Sequence, residues 1–229
     1  MRSRIETVFR EAGFPEHLFR TLMISNKQVD AVTEHPLVRA VTLTGSAPAG
    51  RAVAGKAGVM LRRPFWNLDG SDPYVILEDA DIEVAANVST KGRVVNSCQS
   101  CIAAKRFIVV EQVRREFEER FVEYMSTIKV GDPLDEMTQM GPLARHDLRD
   151  ALHRQVEASI ARGARVLLGG AVPNNLGAYY PQTVLTNVRK GMPAYERSCS
   201  ARSRRSFRRA ARRKQLRPPT IQCSGSVAA

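Results

Sequence analysis

Cys98 and Cys101 stand three residues apart in the segment N-S-C-Q-S-C at residues 96–101, and a cysteine thiolate is a strong nucleophile near neutral pH. A C-x-x-C spacing has three chemical readings: one nucleophile with a neighbour, a redox pair, or half of a zinc site. Structural zinc needs a second close pair or nearby histidines. Cys199 and Cys223 are 24 residues apart, and His17, His35, His146 and His153 show no ligand spacing, so no metal is expected. As a redox pair, Cys98 would trap Cys101 as a disulfide and block it as a nucleophile. The plainest alternative for either cysteine is a small buried thiol.

A second pattern is T-G-S-A-P-A-G at residues 44–50, which follows the apolar alternation of residues 40–43. A strand running through a glycine turn into a helix N-terminus brings main-chain amides close to a phosphate. G-x-x-x-x-G alone is a weak signal, and a tight turn with Ser46 as helix cap satisfies the same residues.

The elements that must position these residues are legible from periodicity. Residues 5–12 read as an amphipathic helix ended by Gly13 and Pro15, residues 40–43 as a strand and residues 49–60 as a helix. An extended stretch runs to Leu68, followed by the turn D-G-S-D-P at residues 69–73 and a strand at 74–77. Beyond it, residues 79–94, 113–128 and 147–163 read as helices, and residues 105–110 and 165–168 as strands. Alternating strands and helices predict an α/β fold of the doubly wound kind, with a domain crossing at the turn.

Composition limits what the chain can be. Hydrophobic residues make up 43% of 229 residues, enough for a core. No apolar run reaches membrane-span length and residues 1–10 lack signal-peptide features, so a cytoplasmic protein without a membrane partner is expected. The formal charge is +12, and ten of those positive residues lie after Glu196 with no acidic residue among them, which leaves +2 for residues 1–196. The basic run carries one aromatic, Phe207, so evolved nucleic-acid binding is not expected, although polyanions would be attracted.

Nine segments in order resemble the aldehyde dehydrogenase family, in particular its succinate-semialdehyde dehydrogenase-like members. They are E-A-G-F-P (11–15), T-G-S-x-x-x-G (44–50), L-x-G-S-D-P (68–73), D-A-D (79–81), N-S-C-Q-S-C (96–101), K-R-F-I-V (105–109), G-D-P (131–133), G-P-L (141–143) and G-A-R-V-L-L-G-G (163–170). The resemblance implies a partial aldehyde dehydrogenase fold. Residues 1–69 would form the C-terminal part of an NAD(P)-binding domain, residues 70–196 the N-terminal part of a catalytic domain, and residues 197–229 a basic disordered tail. It implies Cys101 as the nucleophile that attacks a small aldehyde, with succinate semialdehyde foremost, and passes through a thioester. It further implies NAD or NADP held at Thr44, Gly45, Ser46 and Gly50, and a homo-oligomer.

Three departures weigh on activity. Asn67 stands where the family places the glutamate that activates water, and an amide cannot take that proton. Asp69 replaces the first glycine of a pair, and Cys98 replaces a glycine three residues before Cys101. The family also has a stretch ahead of E-A-G-F-P that is not seen here, and a sheet without its first strands would expose edges and apolar surface. Where E-E-L-F-G-P is expected, residues 197–202 read R-S-C-S-A-R. Codons permitted for those six, begun one nucleotide earlier, spell E-E-L-F-G-P, which predicts that the tail is read out of frame. Two outcomes stay open: an impaired NAD(P)-dependent aldehyde dehydrogenase, or a non-catalytic remnant that associates with dehydrogenase subunits or binds polyanions through its tail.

Overall fold

Helices and strands are interspersed along the chain in a computed structural model that describes residues 2–68, 70, 73–174, 177–196 and 220–224. They divide into two units, residues 1–44 with 48–67, and residues 45–47 with 68–229.

The first unit contains α1 (Arg2–Glu11), a 3₁₀ turn (Asn26–Gln28) that runs into α2 (Val29–Glu34), β1 (Ala40–Gly45), α3 (Ala47–Val59) and β2 (Arg63–Leu68). Gly13, at a φ of +78°, turns the chain after α1, and Phe9 then packs against Phe14 and stacks on Phe19, with centroids 5.3 Å apart in both pairs. Lys56 of α3 pairs with Glu34 at 2.7 Å and Asp30 at 3.4 Å, tying α3 to α2. β1 and β2 form a two-stranded sheet, an arrangement that is marginal in water without further cover. Of the described apolar side chains in this unit, Ala57 alone is fully buried, whereas Met23 is 81% and Leu61 92% exposed.

The second unit carries the core. Its elements are β3 (Pro73–Ile76), α4 (Ile82–Val94), a 3₁₀ segment (Val95–Cys98), β4 (Arg106–Val109), α5 (Glu111–Ser126), α6 (His146–Ile160), β5 (Arg165–Leu168), β6 (Thr183–Val188), α7 (Pro193–Glu196) and β7 (Thr220–Ser224). Five strands form one sheet in the order β3-β4-β7-β6-β5. Phe117, Phe121 and Met125 repeat every four residues along one face of α5, and all three are buried in one cluster with Ile82 and Ala86 of α4, Phe107 of β4 and Val184 of β6. Leu185, the next residue of β6, belongs instead to a second cluster with Leu152 and Val156 of α6. The period of two along β6 thus feeds two separate cores.

The α/β class holds, but the doubly wound expectation is corrected. β3 and β4 are parallel, joined by the crossover helix α4, while β4–β7, β7–β6 and β6–β5 are antiparallel. A parallel pair needs a long crossover connection, which α4 supplies; β5 and β6 are joined without a helix and pair antiparallel. The expected disordered tail is corrected for residues 220–224, which are the strand β7; Thr220 and Ile221 are β-branched and favour extended backbone. The rest of the tail lies outside the described residues. Among the described residues no helix is long and apolar enough to cross a membrane.

Candidate active site

α4 leads directly to the cysteine pair. Asp81 caps this helix, its carboxylate accepting from the Val84 N–H at 3.0 Å, and the helix passes at Val94 into the 3₁₀ segment. Asn96, Ser97 and Cys98 then adopt φ of +51°, +51° and +66°. Three consecutive non-glycine residues in the left-handed region are costly, and such strain persists only where surrounding contacts hold it. Cys98 occupies a position where glycine would be relaxed, so a cysteine there carries a local backbone cost.

The contacts that hold the turn are specific. Ser97 Oγ accepts from Gly141 N–H at 3.0 Å, and Gln99 Oε1 accepts from Ala144 N–H at 3.0 Å. Cys98 is buried, its Sγ 3.8 Å from Met140 Sδ, whereas Cys101 is exposed, and both thiols are free. After Cys101, Ala104 N–H donates to Gly92 O at 3.0 Å, and Arg93 Nη1 donates to Ala104 O at 3.4 Å. Arg93 is fully buried.

The main chain of Cys101 also meets Gly70. A Cβ built on Gly70 would lie 2.9 Å from the Cys101 carbonyl oxygen, closer than real side chains approach. Lys105 reinforces the junction by donating from Nζ to Gly70 O at 2.7 Å. Gly70 and the main chain of the nucleophile candidate are therefore packed against each other, and Gly70 is required there for want of space. Asp69 lies outside the described residues.

Asn67 lies near the end of β2 in the first unit and is exposed. Thr44 is exposed and Gly45 and Ser46 are half-buried, at the point where β1 gives way to α3; Gly50, in the first turn of α3, is buried. That turn reads Ala47-Pro48-Ala49-Gly50 and contains no acidic residue. Small side chains and a helix N-terminus without carboxylates fit the diphosphate of a dinucleotide. Among the described residues no group of three His, Cys, Asp or Glu stands close enough to hold a metal ion.

Gly70, Lys105, Arg93, Ser97 and Gln99 were not singled out by sequence reasoning. The signal for Gly70 and Gln99 was present in the motifs L-x-G-S-D-P and N-S-C-Q-S-C. Ser97 and Lys105 likewise lie in the motifs N-S-C-Q-S-C and K-R-F-I-V, whereas Arg93 acts through a main-chain contact outside all of these motifs.

A profile of the Aldehyde dehydrogenase family matches residues 2–199. The NAD(P)+ succinate semialdehyde dehydrogenase Sad of Escherichia coli (strain K12) is 46% identical over 191 residues, which cover 83% of this chain and 41% of that protein. The NADP+ succinate-semialdehyde dehydrogenase of Mycobacterium leprae (strain TN) is 45% identical over 82% of this chain and 41% of its own length. The chain thus spans about two fifths of the length of these relatives. Among solved structures, the succinic semialdehyde dehydrogenase of Streptococcus pyogenes in complex with NADP+ superposes with a TM-score of 0.81 at 31% identity, covering 85% of this chain and 43% of that one. The lactaldehyde dehydrogenase of Escherichia coli gives 0.78 at 30% identity, covering 82% and 40%.

Proposed function

The chain belongs to the aldehyde dehydrogenase family and carries part of its α/β fold, and from that premise we propose that it retains the family's acylation chemistry at Cys101 while lacking the base that releases the product. The observation that carries this reading is the exposed Cys101, fixed through its backbone to Gly70 at the end of a strained turn. The Cys101 thiolate attacks the carbonyl carbon of a small aldehyde, succinate semialdehyde first among them, and forms a thiohemiacetal. NAD or NADP, when bound, supplies the two-electron oxidant. Thr44, Gly45, Ser46 and Gly50 at the start of α3 would hold its diphosphate.

Oxidation leaves the acyl group on Cys101 as a thioester. Its hydrolysis needs a water made nucleophilic by a base, and the Asn67 amide has no basic lone pair to offer. General-base assistance contributes about 10²–10⁴-fold, so release falls by that order. Aldehyde-dependent NAD(P)H formation by the parent chain and by Asn67→Glu tests the reading. The variant is expected to turn over and the parent to stop after acylation.

In this reading residues 1–69 are the C-terminal part of the cofactor domain and residues 70–196 the N-terminal part of the catalytic domain. The division of contacts after Asn67 supports that boundary. A homo-oligomer and a cytoplasmic setting belong to the same proposal. The run from Arg197 onward is read out of frame, supported by a family match that stops at residue 199, and sequencing the locus tests this. A second reading, a non-catalytic remnant that associates with intact dehydrogenase subunits, is favoured by the exposed apolar residues Phe14, Leu22, Met23 and Phe65 of the first unit.

A further inference from the structure

Among the described residues, β7 alone joins the two halves of the five-stranded sheet. β4 pairs with β3 on one side and β6 with β5 on the other, and β4 and β6 do not pair with each other. All four residues of β4 and five of the six in β6 are buried. Buried strand edges require partners for their N–H and C=O groups. The gap between them is one strand wide, and residues 220–224 fill it.

We infer that the gap between β4 and β6 is a strand-acceptor site, that its ligand class is an extended peptide recognised through the main chain, and that its occupant is Thr220–Ser224 of the same chain. β7 runs antiparallel to both walls, with Phe107 opposite Ile221 and Arg106 opposite Gln222 on β4, and Val184 opposite Cys223 and Leu185 opposite Gln222 on β6. Main-chain recognition explains how a segment without family resemblance can be seated, because ladder hydrogen bonds read backbone rather than side chains. The register with β6 slips between Leu185 and Val188, and Asn187 takes a φ of +59° at that slip. A bulge of this kind accommodates a strand that does not match its neighbour residue for residue. The sequence delimits the occupant: Pro218 and Pro219 stand before it, Gly225 after it, and proline cannot donate to a ladder.

Hydrogen exchange on the full chain is the first test. Amides of residues 221–224 are expected to exchange at least roughly tenfold more slowly than unstructured amides, in step with β4 and β6. Exchange at the unstructured rate overturns the inference, and this measurement needs no variant. In the full chain, Ile221→Pro should then accelerate exchange in β4 and β6 together, whereas Ser203→Pro should not. A synthetic peptide of residues 217–224 should bind Ile221→Pro and restore its protection. Unchanged exchange in that variant, or no binding of the peptide to the folded variant, overturns the acceptor assignment. Protection that disappears on dilution assigns the strand to a second copy and overturns the same-chain occupant.

Discussion

Cys101 is positioned by neighbouring backbone. Gly70 is the narrowest point, since any side chain there meets the Cys101 carbonyl oxygen, a main-chain atom that cannot rotate away. Gly70→Ala should destabilise the second unit by about 1–3 kcal/mol, the usual cost of overpacking, read as a lower urea midpoint. A second residue-scale expectation concerns alkali. Burial pushes the Tyr180 phenol up to about 12; a hydrogen bond with Thr183 opposes that rise and the Glu157 carboxylate adds to it. Because the folded value lies above the ordinary 10.0, the stabilisation due to the neutral phenol is complete below pH 10 and is lost as pH rises toward about 12. Urea midpoints across that window should fall for the parent, and the fall should be smaller in Tyr180→Phe.

At the scale of elements, α4 aims the cysteine turn, and its cap holds its first turn. Asp81→Ala should cost about 1 kcal/mol by leaving the Val84 N–H without its carboxylate, seen as a lower thermal midpoint with unchanged Cys98 burial. The helices that frame the site were legible because their apolar residues recur at helical spacing, as Phe117, Phe121 and Met125 do in α5. β6 was not anticipated, since a strand buried on both faces shows no polar alternation. α2 was missed as well, a charged helix of six residues with one buried side chain, Thr33. β7 was hidden by the Arg- and Ser-rich composition of the tail around it. The cysteine motif was plain in sequence, but its left-handed backbone at Asn96, Ser97 and Cys98 was not, because none of these residues is glycine. The glycine replaced at Cys98 was the available signal, and its conformational meaning emerges only from φ.

Across the whole molecule, stability is unevenly distributed. The second unit has two apolar clusters and a five-stranded sheet, while the first has a two-stranded sheet and one fully buried apolar side chain among its described residues. Amides of α1 through β2 should therefore exchange faster than those of α5 and β6, and limited proteolysis should cut first within the first unit. Cleavage first in α5 would contradict this ranking. The proposed function is acylation of Cys101 with release slowed by the amide at Asn67. Its most direct test is the intact mass of the full chain after incubation with succinate semialdehyde and NAD or NADP, followed by mapping of the modified residue. A persistent acyl adduct on Cys101 is expected in the parent, and its clearance, with continued NAD(P)H formation, in Asn67→Glu. Sustained turnover by the parent, or no adduct on Cys101 in either protein, would contradict the proposed function.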